Sequence, residues 1–182
     1  MNHPINTCVL GVGLSGLTFH VPFLLALPES FNLYAVLERN PKTEGGKVFE
    51  RFGVNVKIYR TFEDVLADSN IELIIIGTPN ETHYEFAKLA LQAGKHGGLS
   101  VQAFLVSLTA TVLVDKPVTA TSDQCRELGA ISQEKKLVLY AFQNRRWDSD
   151  FLALKKLLQV PESSPKSLGV LTELESQYGG LF

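Results

Sequence analysis

The chain has 182 residues, room for one sizeable domain and the start of another. Hydrophobic residues make up 45% of it and charged residues 20%, enough apolar material for a core. A net charge of −2 gives no electrostatic reason to expect nucleic acid or an anionic membrane as partner. The two cysteines, Cys8 and Cys125, have no spacing that suggests a metal site or a disulfide framework, so a reducing, cytoplasmic setting is expected. Met1-Asn2-His3-Pro4 is not a basic region followed by an apolar stretch, and no signal peptide is expected.

Short apolar, β-branched runs alternate with amphipathic stretches. Cys8-Val9-Leu10 predicts a buried first strand, and residues 14–27 the helix after it. Residues 33–37 predict the second strand, 46–52 a short helix, 57–59 a brief third strand and 62–67 a small helix. Leu73-Ile74-Ile75-Ile76 is unbroken by polar residues and ends at Gly77, as a parallel strand covered on both faces requires. Residues 81–93 place Phe86, Leu89, Ala90 and Ala93 at helical spacing. Val112-Leu113-Val114 is a further buried strand, Ser122 caps a helix to about Lys135, and residues 137–140 form the next strand. Strands separated by helices of this length mean right-handed βαβ units, hence an α/β fold with a doubly wound parallel sheet.

Beyond Tyr140 the character changes. Residues 148–158 predict an amphipathic helix, Pro161-Glu162-Ser163-Ser164-Pro165 a turn-rich connection, and residues 168–176 one strand. The expected organisation is a first domain over residues 1–145, then a linking helix and the start of a second domain over 146–182. Residues 97–114 carry no charge and approach the roughly 17 residues a spanning helix needs. Ser100, Gln102, Ser107, Thr109 and Thr111 interrupt them, and insertion would break the α/β alternation, so no membrane span is expected.

Gly11-Val12-Gly13-Leu14-Ser15-Gly16 follows a strand and opens a helix, the context in which this glycine spacing binds a dinucleotide. Gly11 permits the tight turn, Gly13 the approach of a pyrophosphate, and Gly16 close packing of helix on strand. Leu14 and Ser15 complete the loop, whose unpaired amides lie at the positive end of the helix. Glu38 ends the second strand, 22 residues beyond Gly16, where a carboxylate can accept from ribose hydroxyls and favours NAD. Arg39 beside it could instead stack on adenine and pair with a 2′-phosphate, favouring NADP. The cofactor is therefore NAD or NADP.

Three further segments, each after a strand, carry a specific resemblance. Gly77-Thr78-Pro79-Asn80, with His83 three residues on, is similar to the T-P-N-x-x-H segment of the Gfo/Idh/MocA oxidoreductases. Val114-Asp115-Lys116-Pro117 resembles that family's E-K-P motif with aspartate for glutamate, and Gln143-Asn144-Arg145-Arg146-Trp147-Asp148 resembles the N-R-R-W-D stretch of one branch. The resemblance implies a Rossmann domain and hydride transfer between nicotinamide and a sugar or polyol. It implies that Thr78, Pro79 and Asn80 line the ribose and diphosphate and that His83 lies near the nicotinamide ribose. It further implies that Asp115, Lys116 and Pro117 meet the nicotinamide end and that Asn144 and Arg145 stand at the mouth of the site. Lys116 would be the catalytic group, since a desolvated lysine can donate a proton as hydride moves. Pro117 is a candidate for a cis bond. His20 is expected to pack rather than to bind, and Trp147 to be a core or domain-boundary residue. A flavin or S-adenosylmethionine protein would share the glycine loop but not the D-K-P and T-P-N segments.

Two departures bear on function. Relatives run from A-G-K-H directly into V-L-V-E-K-P, whereas here residues 97–111 intervene, and they read as a translated intron or gene-model artefact. If they belong to the protein, Val101-Gln102-Ala103-Phe104-Leu105-Val106 could compete with Val112-Leu113-Val114 for one place in the sheet and displace Lys116. The family also carries a large C-terminal domain that covers the nicotinamide, supplies a histidine and mediates oligomer assembly. A chain ending at Phe182 is expected to turn over poorly, which keeps open a non-functional truncated product; a non-catalytic NAD(P)-binding regulator, as some relatives are, is the other alternative.

Overall fold

The computed structural model describes residues 3–94, 111–173 and 175. Contacts divide the chain into two units, Met1–Phe142 and Gln143–Phe182.

In the first unit, strands β1 (Ile5–Leu10), β2 (Phe31–Leu37), β3 (Lys57–Tyr59), β4 (Leu73–Ile76), β5 (Thr111–Asp115) and β6 (Val138–Phe142) form one sheet in the order β3-β2-β1-β4-β5-β6. Every pairing is parallel. Parallel neighbours need crossover helices, and these cover both faces. On one face Leu10, Leu37, Ile74, Ile76 and Val112 pack with Phe62 and Val65 of α3 (Phe62–Ala67), Ala87 and Leu91 of α4 (His83–Gln92) and Leu128 of α5 (Ser122–Lys135). On the other, Val9, Val36, Leu73 and Ile75 pack with Val21 and Leu24 of α1 (Val21–Ala26) and Val48 of α2 (Gly46–Phe52). All four residues of β4 are buried, as the apolar run predicts. This is the doubly wound Rossmann architecture.

The expected helix over 14–27 is helical from Leu14 to Ala26, but its middle, Gly16–His20, is π-wound. Pro22 supplies a reason: in an unbroken α-helix its ring would press on the carbonyl four residues back. The wider turn is closed by the Val21 N–H donating to Gly16 O. The cap of α5 is Thr121 rather than Ser122, because Thr121 and Gln124 form a reciprocal capping box.

Val112-Leu113-Val114 holds its place between β4 and β6, with Ile74 opposite Val112 and Ile76 opposite Val114. Asp115 therefore ends β5 and Lys116 follows it in the register that these residues set. Thr111 opens β5, and residues 97–110, including Val101 to Val106, lie outside the described residues. Among the described residues no helix is long and apolar enough to cross a membrane.

The second unit holds a 3₁₀ turn (Asn144–Trp147) and α6 (Ser149–Leu158). The strand expected over 168–176 is absent across residues 168–173. Gly169 turns the chain with φ of +72°, and a lone strand without a partner ladder has nothing to stabilise it.

Candidate functional site

The sheet register brings the carboxyl ends of the strands to one level. Leu10 lies opposite both Leu37 and Ile76, and Ile76 opposite Val114. The next residues, Gly11, Glu38, Gly77 and Asp115, therefore emerge side by side. The Gly11 amide donates to Leu37 O (3.3 Å) and the Gly77 amide to Leu10 O (3.0 Å). The strand order reverses between β1 and β4, the position at which open α/β sheets bind ligands.

The three loop glycines differ in what surrounds them. Gly11 has φ of +92°, and a Cβ there would lie 2.9 Å from Gly77 O. A Cβ on Gly16 would fall 2.1 Å from Gly11 O, so helix and loop meet too closely for any side chain. In front of Gly13 nothing lies within 4 Å of such an atom. Leu14 beside it is 81% exposed.

Ser15 reaches across to the fifth strand, its hydroxyl donating to Asp115 Oδ2 at 2.5 Å. Oδ1 of the same carboxylate accepts from the Lys116 amide at 2.7 Å. The Lys116–Pro117 peptide is cis, and both side chains are exposed. Desolvation of Lys116, expected from the sequence, is thus not supplied by the described residues. His20 is buried at 3% exposure, its ring 5.2 Å from that of Phe142 and its Nε2 3.7 Å from Asp115 Oδ2. Burial lowers the His20 pKa from 6.5, against the opposing pull of the Asp115 charge.

The T-P-N segment is held from below. His83, 1% exposed, places Nε2 2.8 Å from Thr78 O and Nδ1 2.7 Å from Pro117 O. It is a strut between the turns after β4 and β5, with a backbone carbonyl oxygen within hydrogen-bond distance of each ring nitrogen, one of which donates in the neutral ring. The Thr78 and Thr82 hydroxyls share a 2.6 Å hydrogen bond, and Pro79 O accepts from the Thr82 amide and hydroxyl. Pro79 and Asn80 are exposed.

Glu38 follows β2 and is only 5% exposed. Its Oε2 accepts from the Lys47 amide at 3.1 Å, and its buried Oε1 has no hydrogen-bond partner among the described residues. Gly46 makes the seat: it has φ of +61°, and a Cβ there would lie 2.5 Å from Oε2. Arg39 is exposed, and its carbonyl accepts from Arg60 at 3.3 Å. An orphaned buried carboxylate oxygen and the space before Gly13 suit a ligand bearing hydroxyls and phosphates, so the residues present fit a dinucleotide.

Asn144 and Arg145 belong to the second unit. The Asn144 side chain lies outside the described residues, and Arg145 donates to Asp148 at 2.8 Å. The sequence reading missed His20 as a neighbour of Asp115, and Gly46 as the seat of Glu38. A histidine two residues before a helical proline, and the Gly45-Gly46 pair, were the available signals.

Residues 5–143 match the profile described as an oxidoreductase family with an NAD-binding Rossmann fold, Gfo/Idh/MocA. An uncharacterised oxidoreductase of Schizosaccharomyces pombe is 39% identical over 96% of this chain and 42% of its own length. The scyllo-inositol 2-dehydrogenase (NADP+) of Bacillus subtilis is 35% identical over 85% of this chain and 37% of its own. The crystal structure of GenD2, from gentamicin A biosynthesis and in complex with NAD, superposes with a TM-score of 0.70 at 26% identity, covering 87% of this chain and 40% of that one. This chain therefore spans about two fifths of the length of the relatives it matches. With the profile covering most of its length, the chain belongs to the Gfo/Idh/MocA oxidoreductase family and carries its NAD-binding Rossmann fold.

Proposed function

We propose that this chain is the dinucleotide-binding part of an oxidoreductase that moves hydride between a nicotinamide and a sugar or polyol carbon. One observation carries the reading. The open space before Gly13 and the Asp115-Lys116-Pro117 turn share one end of the sheet, tied by the Ser15 hydroxyl. The polyol class is supported by the Bacillus relative, which acts on scyllo-inositol with NADP+.

In this reading the backbone of Gly11, Gly13, Leu14, Ser15 and Gly16 receives the pyrophosphate. Glu38 accepts from ribose hydroxyls through Oε1, and Arg39 is placed to meet a 2′-phosphate. Thr78, Pro79 and Asn80 border the ribose and diphosphate, while His83 braces them against Pro117. The dinucleotide, when bound, supplies the hydride donor or acceptor. Lys116 orients the substrate oxygen and exchanges a proton with it, and Asp115 fixes the start of that turn by accepting the Lys116 amide.

Titration of the purified chain with NADH and with NADPH, followed by nicotinamide fluorescence and thermal melting together, tests the reading. Saturable binding accompanied by a raised melting temperature is expected. A cooperatively melting protein that binds neither would overturn it.

A further inference from the structure

One polar atom of the first unit has no place in that account. His20 Nε2 is buried without a hydrogen-bond partner among the described residues, at the end of the π-wound turn. Its ring is confined on two sides. Phe142 lies against it, and a Cβ on Gly77 would sit 3.2 Å from its Cδ2. The polar group facing its free nitrogen is Asp115 Oδ2 at 3.7 Å, longer than a hydrogen bond by less than about 1 Å. Oδ2 already accepts the Ser15 hydroxyl and, as a carboxylate oxygen, has capacity for a second donor.

We propose that His20 is a positioning residue whose Nε2–H closes onto Asp115 Oδ2, so that one carboxylate clamps the glycine loop, through Ser15, to the Lys116 turn. The inference rests on the dinucleotide reading for its purpose, since these are the two segments that reading sets on either side of the bound group. Burial keeps the ring neutral, which leaves it a single N–H to donate. A neutral donor is what this place needs. It fixes the carboxylate without cancelling the charge that holds Ser15 and the Lys116 amide. Asp115 is the ionisable group facing His20 among the described residues. Pairing would also satisfy a buried donor that is otherwise left unmade.

The test uses the whole chain as wild type, His20→Phe, His20→Gln, Asp115→Ala and the His20→Phe/Asp115→Ala double variant. Phenylalanine keeps the ring against Phe142 but cannot donate; glutamine restores a donor. NADH and NADPH affinity are expected to fall about tenfold in His20→Phe, the loss of one hydrogen bond to a charged group, and to recover in part in His20→Gln. In the Asp115→Ala background His20→Phe should add less than a twofold loss, because the two residues act through one contact.

A second readout needs no dinucleotide. Nitrogen-15 spectra of the histidine rings should show His20 as the Nε2–H tautomer in wild type, with its titration midpoint falling further in Asp115→Ala. An Nδ1–H tautomer at neutral pH, or equal losses in both backgrounds, would overturn the clamp. If wild type binds neither nucleotide, the proposed function falls, and tautomer and titration decide the clamp by themselves. If His20→Phe fails to fold, the wild-type tautomer and His20→Gln carry the decision.

Discussion

The two neighbouring glycines of the loop offer a paired perturbation with opposite expected outcomes. In Gly16→Ala the new methyl would lie 2.1 Å from Gly11 O and 3.6 Å from a Val9 methyl. Reaching van der Waals contact requires helix and loop to part by more than about 1 Å. Gly11 cannot yield cheaply, since its amide is bonded to Leu37 O and its φ is +92°. Overpacking of this kind costs about 1–3 kcal/mol, which for a chain of this size lowers the melting temperature by roughly 2–12 °C. In Gly13→Ala the methyl meets nothing within 4 Å and needs no forbidden backbone angle, so stability should stay within about 0.5 kcal/mol of wild type. The same methyl occupies the space assigned to the pyrophosphate, and NADH affinity should fall tenfold or more, about 1.4 kcal/mol. Melting and fluorescence titration of the three proteins side by side read both effects. A Gly13→Ala protein that binds like wild type would remove the pyrophosphate from that space, and a Gly16→Ala protein that melts like it would show that helix and loop part at no cost.

Glu38→Gln retains an acceptor for the Lys47 amide but loses the charge behind Oε1, so NADH affinity should drop by about tenfold while NADPH is less affected; Arg39→Ala should do the reverse. Competitive titration of the two nucleotides reads the ratio, and an unchanged ratio in both variants sinks the assignment. Asp68 accepts from Tyr34 (3.0 Å), from Tyr59, from Lys57 (3.0 Å) and from the Asn70 amide (2.9 Å). Burial pushes its pKa up, but the Tyr59 hydroxyl, the Asn70 amide, Lys57 and Tyr34 outweigh it and hold the carboxyl well below its ordinary 3.8. Asp68→Ala should cost about 2–4 kcal/mol in urea unfolding at neutral pH. A depressed carboxyl stabilises above its unfolded value, so the gap to wild type should narrow only as pH falls below 3.8. For His20, lowered from 6.5 by burial, the unfolded chain binds the proton more readily. Stability should therefore decline as pH drops below 6.5, by at most about 1.4 kcal/mol per pH unit. The decline should be shallower in His20→Phe, and an identical slope in both proteins would show that His20 is not its source.

The parts legible in the sequence are those whose signal is local. The apolar run of β4 needs two covering layers, and the glycine spacing needs a tight turn against a helix. Both requirements are written within a few residues. Periodicity could not reveal the π-wound turn, because Gly16 to His20 look like any amphipathic segment until the steric demand of Pro22 is weighed. Across residues 168–173 the expected strand does not form for the converse reason: β-branched and apolar residues suggest a strand, but Gly169 with φ of +72° turns the chain there. In the site, Ser15 and Asp115 were named separately, 100 residues apart in the chain, and nothing in either segment announces that they touch. The same holds for His83, whose neighbours depend on where two turns meet in space.

The placement of β5 has a consequence for how this protein can change. The chain enters β5 at Thr111 and leaves it at Asp115, and every residue assigned to the dinucleotide in this unit stands at the leaving end of a strand or after it. Register with Leu73 fixes where β5 starts, at the end of the sheet away from those residues. One residue added between Val114 and Pro117 would turn Asp115 away from Ser15 and shift Lys116 with it. Engineers looking for a place to splice in a reporter have almost no freedom between Val114 and Pro117.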